Sequence, residues 1–178
     1  MPITYLSGDA TKPIDTGGTR TIIHICNSVG GWGAGFVLHL SSSWKEPEVR
    51  YRRWFREGVN GNFELGQTQF VMVEEEPLMF VANMIAQVGY GRRGAEKHKA
   101  LNPPGTPPIR YAALRKCLTQ VAEFAIRKQA TIHGPRLGSG LAGGNWEVIE
   151  RILEEDLCSK GLEVFIYDLP KPFLTPAA

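Results

Sequence analysis

The chain has 178 residues, 43% of them hydrophobic and 21% charged, with a formal net charge of +2. That length suits one domain with a continuous core and that composition excludes a disordered chain, while apolar runs of strand length fall far short of the ~20 residues needed to span a bilayer. So mild a charge gives no indication of nucleic acid, and the cysteines, Cys26, Cys117 and Cys158, are too scattered for a zinc pair or a disulfide framework.

The opening "MPITYLSGDA" has neither a basic nor an apolar leader region, so a cytoplasmic location is expected. "ITYLS" reads as a first strand and ends in "GDAT", where Asp9 is either a turn acid or an acceptor for an exocyclic amine. "RTIIHIC" is a second, continuously apolar strand, followed by "NSVGGWGAG" and then by a helix that follows Gly35 and runs to about Ser43. "EPEVRYRRWFREG" reads as a helix with Pro47 in its first turn and Tyr51, Trp54 and Phe55 on one face. Its basic residues form either a solvated face or an anion-attracting rim.

"QTQFVMV" and "MFVANMIAQ" read as strands joined by "EEEP", a connection short enough for a hairpin. From Gly89 to Pro108 the chain is rich in Gly, Pro and basic residues without periodicity, as in a functional lid or a mobile segment. "IRYAALRKCLTQVAEFAIRK" then carries Leu114, Leu118, Val121, Ala122 and Ala125 at helical spacing. "ATIHGPRL" is a strand, and "LGSGLAGGN" a second glycine-rich loop. "WEVIERILEEDLCSKG" is a helix with Asn145 as N-cap and Gly161 as its stop. "LEVFIYDL" is the last strand, and residues 171–178 an extended tail after a single domain over residues 1–170.

Strands alternating with helices predict an α/β protein, a three-layer α/β/α sandwich around a mixed, roughly six-stranded sheet. In such a sheet, loops that leave strand ends and open helices present backbone N–H groups to ligands, phosphates above all. Both glycine-rich loops stand at such positions. Neither contains GxxxxGK[ST]. Gly138, Gly140 and Gly143 do satisfy GxGxxG, but one strand alone follows them, whereas a dinucleotide-binding unit opens a domain. Trp32 is too bulky for a simple turn and either caps a pocket or packs inward. His24 and His133, inside strands, read as interior histidines. Spacing assigns no triad, and no HExxH or carboxylate cluster suggests a metal.

Taken together, "GDAT", "IIHICNSVGGWGAGF", "GPRLGSGLAGGNW" and "VFIYDL" resemble a macrodomain, the ADP-ribose-binding module. Within that superfamily the chain looks closest to the compact class that includes terminal ADP-ribose protein glycohydrolase and ADP-ribose-1″-phosphate phosphatase. The resemblance implies that Asp9 accepts the adenine amine, with Gly8 and Ala10 beside it. It implies that Asn27 reaches the distal ribose, and that Gly30, Gly31, Trp32, Gly33, Ala34, Gly35 and Phe36 line the diphosphate and that ribose. Leu137, Gly138, Ser139, Gly140, Leu141, Ala142 and Gly143 would supply the opposing phosphate loop, and Tyr167 would flank the adenine.

Where the glycohydrolase class has a catalytic lysine and aspartate, this chain has Gln87 and Ala142. An amide forms no lysyl-sugar adduct and an alanine is no base, which argues against that covalent route. Catalysis would then rest on Asn27, Gln87 and a water held near the anomeric carbon. The implied function is hydrolysis of ADP-ribose from acidic side chains or from ADP-ribose-1″-phosphate, with a non-catalytic reader as the alternative. No cofactor, metal or membrane partner is implied, nucleic acid is not indicated, and a monomer is expected.

Overall fold

The computed structural model describes residues 1–89, 101–140 and 142–170. Its strands are β1 (Thr4–Ser7), β2 (Arg20–Asn27), β3 (Thr68–Glu75), β4 (Leu78–Gln87), β5 (Thr131–Pro135) and β6 (Val164–Asp168). Its α-helices are α1 (Phe36–Ser43), α2 (Glu46–Glu57), α3 (Tyr111–Lys128) and α4 (Trp146–Asp156). The strands form one sheet in the order β1-β6-β5-β2-β4-β3. All neighbours run parallel except β3, which turns back on β4 as a hairpin at the edge.

Side-chain alternation along β2 divides the core in two. Ile23 faces α3 and α4, packing among Leu114, Leu118, Val121, Ile132 and Leu153. Ile22 and Cys26 face the other way, among Leu40 of α1 and Tyr51 and Trp54 of α2. Both faces of β2 and β4 are therefore buried, which is why their sequences read as near-continuous apolar runs. In α3 the buried stripe falls at i, i+4, i+7 and i+11, and burying each leucine stabilises the layer by about 1.5–3 kcal/mol. Asn145 caps α4 by accepting the Glu147 N–H at 2.9 Å. The three-layer architecture is as expected from the sequence.

Parallel pairing gathers the carboxyl ends of β1, β6, β5, β2 and β4 along one edge. Gly8 N–H donates to the Asp168 carbonyl at 2.8 Å, and Ser28 N–H to the Gln87 carbonyl at 2.9 Å, so the departing loops are tied to one another. "GDAT", "NSVGGWGAG" and "LGSGLAGGN" all leave from this edge. Residues 90–100 of the basic loop and the tail, 171–178, lie outside the described residues. No described helix is long and apolar enough to cross a membrane.

Candidate functional site

The first glycine loop is held from below by side chains. Asn27, buried at the end of β2, accepts the N–H groups of Val29 and Gly31 on Oδ1, at 3.1 and 2.9 Å, and donates Nδ2 to the Gly31 carbonyl at 2.8 Å. Tyr51 of α2 donates its hydroxyl to the Asn27 carbonyl at 2.6 Å and lies 3.0 Å from Oδ1. Arg52 reaches the Gly30 carbonyl at 3.2 Å and the Trp32 carbonyl at 3.5 Å, and is itself paired with Glu48. Trp32 packs inward between His24 and Tyr51, its indole N–H donating to Ser41 at 2.8 Å. Of the sequence alternatives for Trp32, the structure selects packing.

These contacts orient the backbone. In a trans peptide the carbonyl and the following N–H point in opposite directions. With the carbonyls of Gly31 and Trp32 turned toward Asn27 and Arg52, the N–H groups of Trp32 and Gly33 turn away from the scaffold. No bond among the described residues uses them. The two glycines on either side differ in what they require. Gly30 has φ +74°, and a Cβ there would lie 2.4 Å from the Phe55 ring, so the loop needs glycine. At Gly33 a Cβ would meet nothing within 4 Å, because that position faces open space.

The second loop folds on itself. Gly144 N–H donates to the Gly138 carbonyl at 2.7 Å, Gly143 N–H to the Gly140 carbonyl at 3.0 Å, and the Ser139 hydroxyl to the Arg136 carbonyl at 2.9 Å. Leu137 and Ala142 send their side chains into the core beneath it. The Ala142 carbonyl accepts from Ile109 at 3.2 Å, anchoring the loop to the segment before α3. Leu141 lies outside the described residues. This loop follows the fifth strand, with β6 alone to come, which is not how a dinucleotide-binding unit begins.

Asp9 stands beyond both loops at the β1 end of the edge. Its Oδ1 accepts the Thr11 N–H and hydroxyl, each at 2.9 Å, and its Oδ2 accepts from His39 of α1 at 3.2 Å. Burial alone would raise its pKa, but the Thr11 bonds and His39 outweigh it and hold the carboxyl below the ordinary aspartate value. A cavity of about 320 Å³ opens here, with Asp9, Thr11 and His39 in its wall. Ala10 and Tyr167 pack together nearby with Phe36 and Leu6, and a Cβ on Gly8 would lie 3.7 Å from the Tyr167 ring. The Tyr167 hydroxyl is turned inward, accepting the Ile14 N–H at 3.0 Å and meeting His133 at 3.0 Å.

Gln87 ends β4 beside Asn27, but its amide donates to the Gly89 carbonyl at 2.8 Å. Both side chains singled out for catalysis are thus hydrogen-bonded to the loops around them. His24 and His133 are buried and bonded, to Asn83 at 2.6 Å and to Thr131 at 2.8 Å, and burial pushes both down to about 4. All three cysteines are free and buried, and among the described residues no cluster of His, Cys, Asp and Glu is suited to a metal.

Sequence reasoning did not find His39 or the inward roles of Tyr51 and Arg52. His39 lies three residues after Phe36, hence on the same helix face, and that spacing was the available signal. Arg52 was hidden in a run of basic residues that reads as uniformly exposed.

Known proteins match the chain along nearly its whole length. A macrodomain protein from Streptomyces coelicolor is 41% identical, with a TM-score of 0.77 and coverage of 93% of this chain and 98% of that one. The chain belongs to the macrodomain family. A protein of unknown function from Bacteroides thetaiotaomicron is 48% identical, with a TM-score of 0.85 and coverage of 95% and 99%. Among curated proteins, the mouse chromodomain-helicase-DNA-binding protein 1-like is 28% identical over 171 residues, and the chain spans only 18% of its length. The ADP-ribose 1″-phosphate phosphatase of Saccharomyces cerevisiae is 26% identical over 166 residues, 86% of this chain and 92% of that one. No family model matches.

Proposed function

We propose that the protein binds ADP-ribose along the carboxyl edge of its sheet and hydrolyses it from modified acidic side chains or from ADP-ribose 1″-phosphate. The observation that carries this is the meeting of two glycine loops at that edge, with the Trp32 and Gly33 N–H groups of the first turned away from the scaffold, an arrangement that suits a diphosphate. Gly8, Asp9, Ala10 and Tyr167 take the adenine end, Asp9 accepting the amine. Gly30, Gly31, Gly33, Ala34, Gly35 and Phe36 with the Trp32 backbone take one side of the diphosphate and the distal ribose. Leu137, Gly138, Ser139, Gly140, Leu141, Ala142 and Gly143 take the other side through backbone. The name of the yeast phosphatase relative supports the ligand class.

In the hydrolytic step, water adds to the anomeric carbon as the carbon–oxygen bond to the carboxylate breaks, and the carboxylate leaves with the electron pair. The water's proton passes to a diphosphate oxygen of the ligand. Charge developing at the anomeric carbon is oxocarbenium-like, and the adjacent diphosphate stabilises it. Asn27 and Gln87 contribute by holding Gly31 and Gly89, and so the loop backbone that positions the water. A lysyl-sugar adduct has no place in this scheme, since Gln87 and Ala142 supply neither nucleophile nor base.

One observation favours a second reading, a reader that binds ADP-ribose without turnover: the side chains of Asn27 and Gln87 already serve the loops. Incubation with glutamate-ADP-ribosylated protein separates the two. Release of free ADP-ribose supports the hydrolase, and binding without release over hours supports the reader. The proposal includes a single unit over residues 1–170 acting as a cytoplasmic monomer, which sizing chromatography tests for oligomeric state.

A further inference from the structure

The carboxylate of Asp9 is coordinated more completely than simple recognition of an amine requires. An ionised carboxylate offers about four lone-pair sites, two on each oxygen. Thr11 fills both sites of Oδ1 with its N–H and hydroxyl, each at 2.9 Å. His39 fills one site of Oδ2 from Nδ1 at 3.2 Å; because the carboxylate only accepts, Nδ1 carries the proton. One acceptor site remains. The His39 ring lies near-parallel to Phe36, with the two rings 15° from parallel and their centroids 6.3 Å apart. Asp9, Thr11, Leu38 and His39 all line the cavity of about 320 Å³, a size at the lower end of small-ligand pockets, roughly 300–1,000 Å³.

We infer that His39 is a specificity-determining residue of this pocket: it fixes Oδ2 so that the one open acceptor site takes a single exocyclic N–H, selecting 6-aminopurine nucleotides over 6-oxopurine ones. The inference rests on the proposed ADP-ribose reading and adds to it the residue that enforces the choice of base. A 6-amino group supplies the donor that the open site requires. A 6-oxo group presents a lone pair to the same oxygen and leaves its open acceptor site without a donor, a mismatch that a site built to hydrogen-bond an amine discriminates against. Without His39, Oδ2 has two open sites and the carboxylate is held by Thr11 alone. Water can then bridge to either base, and the distinction weakens.

The test is calorimetric titration of the full chain with ADP-ribose and with inosine diphosphate ribose. The wild-type protein is expected to prefer ADP-ribose by about tenfold or more, as a single well-formed hydrogen bond allows. His39→Ala is expected to bring the ratio within about threefold of unity, mainly by weakening ADP-ribose, and His39→Leu, which keeps bulk against Phe36 without a donor, to do the same. His39→Asn, which restores an N–H close to the Nδ1 position, is expected to recover most of the preference, a rescue that a merely structural role for the ring would not give. Equal wild-type affinity for the two ligands, or an unchanged ratio in the Ala and Leu variants, overturns the inference while leaving ADP-ribose binding intact. Binding of neither ligand by the wild-type protein overturns the proposed function and this inference with it.

Discussion

Neighbouring residues in the first glycine loop play opposite parts, and substitution separates them. Gly33 faces open space with no backbone strain, so Gly33→Glu is expected to keep the melting temperature within about 2 °C of wild type while abolishing ADP-ribose binding, because a carboxylate would occupy the path of the diphosphate. Gly30 has a left-handed φ and the Phe55 ring against it. Gly30→Ala should therefore destabilise by about 1–2 kcal/mol from the backbone alone, measured by urea unfolding, with the steric clash adding to that. Asn27→Ala removes a buried amide bonded to Val29, Gly31 and Tyr51, and a loss of roughly 1–3 kcal/mol is expected together with weaker binding. A variant at Asn27 that bound normally and unfolded at the wild-type urea concentration would contradict its role in shaping the loop. The glycines and Asn27 were legible in the sequence, since backbone freedom between a strand and a helix is written in composition. What Asn27 bonds to was not, because the amide could reach outward or inward, and only the turn of the loop decides which.

Among the elements, sequence and structure diverge most usefully at α2. The boundaries of α2 were legible from Pro47 and the apolar spacing, but its buried face is that of Tyr51 and Trp54, with Phe55 of the expected stripe left exposed. The basic run along it, however, contains one residue with a different task. Arg52 crosses from α2 to the carbonyls of Gly30 and Trp32, whereas Arg53 pairs with Glu57 on the exposed face. Periodicity alone does not distinguish them, because which arginine meets a loop depends on where a distant strand ends. Arg52→Ala should change stability by no more than about 1 kcal/mol, since the pair with Glu48 is half-exposed. It should nonetheless weaken ADP-ribose several-fold by letting the loop carbonyls turn. Equal affinity in the variant would mean that the loop holds its shape without α2. The strand and helix order, and the hairpin of β3 and β4, were fully readable from apolar runs and turn residues, which local sequence controls.

For the whole molecule, two neutral histidines lie inside the fold, and they tie its stability to pH. His24 and His133 are pushed down to about 4, by burial first and, at His133, by nearby Arg20. An unfolded chain protonates these histidines near 6.5, while the folded one does so only near 4. Between those values the unfolded state binds more protons, so stability falls as pH drops, by up to about 1.4 kcal/mol per pH unit for each histidine. Urea midpoints should fall steadily from pH 7 to pH 4.5, and a flat profile would contradict the burial of both rings. Sequence placed these histidines in strands, but their distant partners, Asn83 on β4 for His24 and Tyr167 on β6 for His133, come from the pairing of separate segments.

The same sheet brings the first and second glycine loops, more than 100 residues apart, to one edge, and the function depends on that convergence. The most direct test is calorimetric titration of ADP-ribose into the wild-type protein beside Gly33→Glu at pH 7. Saturable binding at one site per chain, lost in a variant that melts like wild type, is the result expected; no binding by the wild type, or equal binding by the variant, would contradict it.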